Sequence, residues 1–168
     1  MGDIFNEQLV KKIPDLKDLL KKVGLGILGI AAMTFGMLYA GVLVLLIIIG
    51  VGVGIYFAYK EFDVEYEYVL TNDSVDIDKI IARERRKSLI SDLSLDDVEV
   101  LFPMDEAHAS DTARYARLKK IDASSSPRSP KRWLMVYKTE GQSAALIFEP
   151  NEKFIEGIRA QIPRKFKK

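Results

Sequence analysis

The chain has 168 residues, and its 25 Lys and Arg against 24 Asp and Glu leave a net charge of +1, which gives no general attraction for nucleic acid. With no cysteine and a single histidine it has neither a disulfide scaffold nor the thiolate and imidazole ligands of a zinc site. Mean hydropathy is near neutral only as an average, because the apolar residues are concentrated in one block and the 29% charged residues lie outside it.

Residues 1–22 read as an amphipathic lead-in. Ile4, Phe5, Leu9 and Ile13, then Leu16, Leu19, Leu20 and Val23, recur at helical spacing with lysines between them. Pro14 opens a helix that runs into the apolar block, with Asp15 and Asp18 near its positive end. Such a segment either lies in the membrane interface or extends the first span into the cytosol, and both readings stay open. Met1-Gly2 invites N-myristoylation, but Asn6 stands where that motif requires Ser or Thr.

Val23 to Tyr59 is uncharged over 37 positions. One helix of that length reaches about 55 Å, nearly twice the ~30 Å hydrocarbon core, so two spans are predicted. Dividing them near Tyr39 to Gly41 gives Val23 to Leu38 and Val42 to Tyr59, with Lys21, Lys22 and Lys60 snorkelling to the headgroups. Lysines precede the block and Lys60, Arg83, Arg85, Arg86 and Lys87 follow it, which predicts a multi-pass hairpin in the cell membrane with both termini cytoplasmic. The run is too long for a cleaved signal peptide, and the lack of cysteine agrees with a cytosolic soluble part. Glycines recur through both spans, with a Gly50-x-x-x-Gly54 spacing. This spacing serves either packing of the two spans on each other or homo-oligomerisation through Gly50 and Gly54. No span carries an ionisable residue for a proton or ion path.

Residues 60–168 read as a small α+β domain. Phe62, Val64, Tyr66, Tyr68 and Leu70 alternate with Asp63, Glu65 and Glu67, as in a half-buried strand. A turn at Thr71 to Ser74 leads to strands at 75–82, 88–93 and 98–102, separated by charged connectors at 83–87 and 94–97. Two further strands at 133–139 and 143–148 are joined by Glu140, Gly141 and Gln142. Phe154, Ile155, Ile158 and Ile162 then form a helical stripe ended by Pro163. The expected domain is an antiparallel bent sheet or open barrel, closed by this C-terminal helix. In the long connector at 103–131, Thr112 to Ile121 suits a helical turn or two, while Ala123 to Pro130 is Ser- and Pro-rich and reads as mobile chain, with Ser126-Pro127 and Ser129-Pro130 as weak phosphorylation motifs.

Met1-Gly2-Asp3, Glu7 to Val10, the two-span block, Val64 to Tyr68 with Leu70-Thr71-Asn72, and Asp76 to Ala82 resemble a family of small two-span bacterial membrane proteins, a resemblance that implies no activity. The strand meander with one closing amphipathic helix resembles bacterial pleckstrin-homology-like (PH-like) domains. Six of that fold's seven strands are placed. Lipid-phosphate recognition in some such domains uses basic residues between the first two strands, where Asn72 and Asp73 stand here, so the resemblance does not carry inositide binding over.

Reactive constellations are few. His108, with Asp105 and Glu106 nearby, lacks a second metal ligand at useful spacing and reads as an exposed loop histidine. Asp76 and Asp78 form a D-x-D pair on one face of a strand, read as a solvated face. Neither a dinucleotide fingerprint nor a phosphate loop is present. The expected protein is therefore not an enzyme, takes no cofactor or metal, and binds the lipid bilayer and an unidentified protein partner. Two classes of function remain: a membrane-anchored binding or scaffold module, and an accessory subunit of a larger transporter or enzyme complex. If strands alternate away from and towards the bilayer, the basic connections 83–87 and 103–131 return to it, so Lys21, Lys22, Lys60, Arg83, Arg85, Arg86 and Lys87 are the expected membrane-surface contacts.

Overall fold

The computed structural model describes residues 4–39 and 41–167; the Met1-Gly2-Asp3 start and Ala40, in the expected inter-span turn, lie outside the described residues. In chain order the elements are β1 (Phe5–Lys11), α1 (Leu16–Tyr39), α2 (Val44–Lys60), β2 (Val64–Thr71), β3 (Ser74–Ile81), β4 (Arg85–Ser94), β5 (Val98–Pro103), α3 (Ala109–Arg114), β6 (Lys119–Asp122), β7 (Trp133–Thr139), β8 (Gln142–Phe148) and α4 (Glu152–Gln161). Two four-stranded sheets result, ordered β1-β2-β3-β4 and β5-β7-β8-β6.

The first correction concerns the N-terminus. Residues 5–11, expected within a helical lead-in, form a strand antiparallel to β2, with Phe5 opposite Thr71 and Lys11 opposite Glu65. Over seven residues the two periodicities are hard to tell apart, and so short a segment gains little as an isolated helix. The open edge of β2 offers it a full ladder of hydrogen bonds instead. It is one of two strands that the six-strand reading lacked, the other being β6, and in the sequence β1 lies on the far side of the apolar block from the rest of its sheet. The connection between the first two strands is consequently the whole of residues 12–63, and Asn72-Asp73 joins the second strand to the third.

α1 begins where the sequence suggested. Asp15 accepts the Asp18 N–H at 2.8 Å, capping the first turn directly after Pro14. A 3-10 turn at Gly41–Leu43 separates α1 from α2, and Gly41 opens it at φ +51°, a conformation that favours glycine. The two helices pack side by side in opposite directions: Gly36 lies against Ile47, a Cβ at Gly29 would collide with Ile55, and the Tyr59 hydroxyl donates to the Lys22 carbonyl at 3.0 Å. Gly50 and Gly54 take no part, since a Cβ at either would meet nothing within 4 Å. α1 is long and apolar enough to cross a membrane, whereas α2 is apolar but only 17 residues long. Their outer surfaces are bare hydrocarbon, with Ile27, Leu28, Leu45 and Leu46 each more than 60% exposed.

The sheets follow the alternation read from the sequence, with three differences. β4 begins at Arg85, because Arg85, Arg86 and Lys87 pair with Ile81, Ile80 and Lys79; the 83–87 connector shrinks to a turn at 82–84. The β7–β8 loop is a two-residue turn in which Glu140 and Gly141 have φ of +50° and +76°. The architecture is not wholly antiparallel: β6, drawn from the middle of the long connector, lies parallel to β8.

The main core lies between the sheets and α4. Tyr68, Leu70, Ile77, Leu101, Met135, Leu146 and Phe148 are sealed by Phe154 and Ile158, all without solvent exposure. Asn151 caps α4 by accepting the Phe154 N–H at 2.8 Å. A second cluster on the other face of the second sheet (Val100, Phe102, Leu134, Val136, Ala145, Ile147) is covered by Met104, Tyr115 and Leu118 from the 103–131 segment. That segment is therefore a structural cover. Ala123, Ser124 and Ser125, expected in mobile chain, are buried.

Candidate functional site

Of the seven cations singled out in the sequence, Lys22, Lys60, Arg83 and Arg85 meet where the helices join the sheet. The chain leaves β1 and rejoins β2 at adjacent positions, where the Lys12 N–H donates to the Val64 carbonyl at 2.9 Å. Lys22, on α1, places its ammonium 5.2 Å from the centre of the Phe62 ring. Lys60 ends α2 and donates to Glu84, in the β3–β4 turn, at 2.5 Å. Arg85 pairs with Glu61, while Arg83 lies 3.7 Å from Glu65 and 3.9 Å from Asp63. Arg86 instead reaches Glu67 and Asp78 on the neighbouring strands. Lys21 lies one residue before Lys22 on α1, and Lys87 is exposed opposite Lys79 in the β3–β4 register.

The β3–β4 turn is thus tied to the C-terminal end of α2 by two ion pairs, which brings Lys22, Lys60, Arg83 and Arg85 together at the helix base. The fold also brings acids that a count along 83–87 does not see: Glu61, Asp63 and Glu65 join Glu84 at the same junction. Lys60 holds the Glu84 carboxyl below the usual carboxylate range through its hydrogen bond. Exposed pairs of this kind contribute little to stability, so the guanidinium and ammonium groups exchange partners at low cost.

A buried polar hub lies behind the junction. The Tyr68 hydroxyl donates to the Ala123 carbonyl at 2.6 Å and accepts the Glu149 N–H at 3.3 Å. Glu149 Oε1 accepts both the N–H and the hydroxyl of Ser125, at 3.0 and 2.9 Å. Gln8 of β1 donates to the Glu149 carbonyl at 2.8 Å and accepts the Asn151 N–H at 2.7 Å. The Ser125 carbonyl accepts the Ile13 N–H at 2.7 Å, which fastens the loop to the chain entering α1. Burial pushes the Tyr68 hydroxyl well above its ordinary range and keeps it a neutral donor. Every polar group of this hub points at another part of the fold, so its role is to hold the 123–125 loop, β1 and the end of β8 together. Sequence reasoning missed it because serines in a Pro-rich run carry a loop signal, and the carboxylate that orders Ser125 is 24 residues away.

The remaining candidates separate. His108 is buried, which corrects its reading as an exposed loop residue: it stacks on Phe102 at 5.6 Å, and its Nδ1 lies 2.6 Å from Asp105. That hydrogen bond holds the Asp105 carboxyl below its ordinary range. Asp76 accepts the Asp92 N–H at 2.7 Å, and Asp78 lies 3.3 Å from Arg86, so the D-x-D pair is engaged within the sheet. Among the described residues, no group of three or more His, Cys, Asp or Glu is arranged to hold a metal ion.

The family model described as Bacterial PH-like domain (DUF6106) matches residues 2–168. The chain belongs to this family. No curated protein and no solved structure matches it. The match runs through β1, both helices and everything beyond, so the helical pair falls within the region matched as PH-like domain, between the first two strands. The PH-like resemblance read from the strand meander and its closing helix is thereby established at the level of family.

Proposed function

We propose that this PH-like protein is a membrane-anchored, non-catalytic binding or scaffold module, with α1 and α2 crossing the bilayer as a two-span hairpin and the sheets held at its cytosolic surface. The observation that carries this reading is the shared point of departure and return. A segment that leaves β1 and rejoins the paired strand β2 at the next hydrogen bond crosses a bilayer an even number of times. The exposed hydrocarbon of both helices needs an apolar phase, since burying each large aliphatic side chain is worth about 1.5–3 kcal/mol. Tyr56, Tyr59, Lys22 and Lys60 suit the headgroup boundary at the base of the pair.

In this reading Lys21, Lys22, Lys60, Arg83, Arg85, Arg86 and Lys87 face the membrane surface. Because Glu61, Asp63, Glu65 and Glu84 lie among them, their preference for anionic lipid is small, and the bilayer is held chiefly by the helices. The partner then docks on the part of the domain furthest from the junction. A second reading, an accessory subunit that packs laterally into a larger membrane complex, is favoured by one observation: Gly50 and Gly54, one turn apart, leave a flat patch of α2 with nothing against it. Photo-crosslinkers placed at Lys138 on the domain or at Ile49 on α2, in intact membranes, separate the two. The binding-module reading expects a discrete heavier adduct from Lys138. An adduct from Ile49 alone would overturn it in favour of the accessory subunit.

A further inference from the structure

The free edge of β4 lines a groove that no element of the fold fills. Its volume is about 560 Å³, within the range of ligand clefts. One wall is five consecutive residues of β4, 89–93, and the other is the end of β7 with the β7–β8 turn, 137–141, with Asp97 beside them. β4 is bulged here, with Leu93 opposite Val75, Ile90 opposite Ile77 and Asp92 at φ +52°, so Ile90 and Leu93 turn into the core while Ser91 and Asp92 stand exposed along the free edge. Among the described residues β4 ends its sheet, which leaves one row of its main-chain N–H and C=O groups without a neighbouring strand.

The rim is acidic. Asp92, Asp97 and Glu140 stand on it, and Lys138, the one cation among the described residues that line it, lies 3.8 Å from Glu99. The groove is also remote from the helix base. Leu95, which follows β4, donates its N–H to Asp73 in the β2–β3 turn, at the opposite end of the sheet from the Lys12–Val64 junction. A second copy of this chain is the wrong occupant. Antiparallel pairing of β4 with itself would reverse one copy, whereas in both copies β4 starts at the helix base, where Arg85 meets Glu61.

We infer that this edge binds an extended, lysine- or arginine-bearing segment of a partner protein. The segment adds as a strand beside β4, with its basic side chains against Asp92, Asp97 and Glu140. Main-chain hydrogen bonds along an edge supply affinity without sequence preference, and the acidic rim selects for positive charge. Five residues at ~3.3 Å each bound the strip at roughly 17 Å, which the bulge at Asp92 shortens to room for about two basic positions. This rests on the reading of the domain as a binding module and names the chemistry of its partner.

The test uses the full chain in nanodiscs of zwitterionic lipid and a fluorescein-labelled nonapeptide that alternates lysine with valine and threonine. Anisotropy should show saturable binding that weakens with salt. The triple variant Asp92→Asn, Asp97→Asn, Glu140→Asn, which keeps residues tolerant of the positive φ at 92 and 140, should bind about tenfold or more weakly. N-methylation of alternate peptide amides, which removes ladder donors and leaves the charges, should abolish binding when it falls on the edge-facing register. Equal binding of the glutamate version, indifference to N-methylation in both registers, or no binding at millimolar peptide would each overturn the edge site. None of those outcomes bears on the position-specific crosslinks, so failure here is distinguishable from failure of the binding-module reading.

Discussion

Ile158→Asp is expected to unfold the PH-like domain while leaving α1 and α2 helical. Ile158 has no exposed surface and faces the main core from the middle of α4. Truncating such a residue costs about 2–5 kcal/mol, and a carboxylate without a partner at the same point adds a desolvation penalty of several more. Against a typical stability of about 5–15 kcal/mol, the sum removes most or all of it. Because α1 and α2 dominate far-ultraviolet circular dichroism, the informative signal is that of Trp133, which packs edge-on against Phe166 at 6.1 Å. Its near-ultraviolet band should disappear in Ile158→Asp and persist in Lys153→Asp, an exposed change on the same helix. If the band and melting temperature survive in Ile158→Asp, α4 does not close the core.

The second large effect follows from the interrupted sheet. A fragment that starts at residue 62 lacks β1, and with it the ladder along β2 and the Gln8 hydrogen bonds to Glu149 and Asn151. Such a fragment is expected to aggregate or to lose the Trp133 signal, because the opened edge of β2 is a template for intermolecular pairing. Replacing residues 13–63 by a two-residue Asn-Gly turn should restore it, since Lys12 and Val64 are already hydrogen-bonded neighbours and such turns suit antiparallel strands. The rejoined domain should be soluble without detergent and melt as one unit. A fragment from 62 onward that folds as well as the rejoined domain would show that β1 is dispensable.

These two experiments also mark what could be read along the chain and what could not. The strands at 64–71, 74–81, 98–103, 133–139 and 142–148 and the helix at 152–161 were legible because their apolar residues either keep one period or form a short unbroken run bounded by turn residues. β1 was hidden because its seven residues fit both periods and its partner lies beyond the helical pair. β6 was hidden for a similar reason: its four residues, Lys119 to Asp122, carry little apolar alternation and are ordered by the neighbouring β8. At the candidate site, the basic residues at 83–87 stood out in the sequence, whereas the acids that temper them, Glu61, Asp63 and Glu65, precede them by about twenty residues and meet them only through the β2–β3–β4 register. The acidic groove on β4 was equally illegible, since 89–93 and 137–141 are joined only by the fold.

The proposed hairpin crosses the membrane twice and returns the chain to the same face. The natural absence of cysteine makes it directly measurable. Single cysteines at Phe5, Leu43 and Lys131, all exposed, would report on the first strand, the inter-helix turn and the domain. In intact bacterial cells a membrane-impermeant maleimide should label Leu43→Cys alone, and permeabilisation should add Phe5→Cys and Lys131→Cys together. Labelling of Phe5→Cys and Lys131→Cys from opposite sides, or of all three cysteines from the same side, would contradict it.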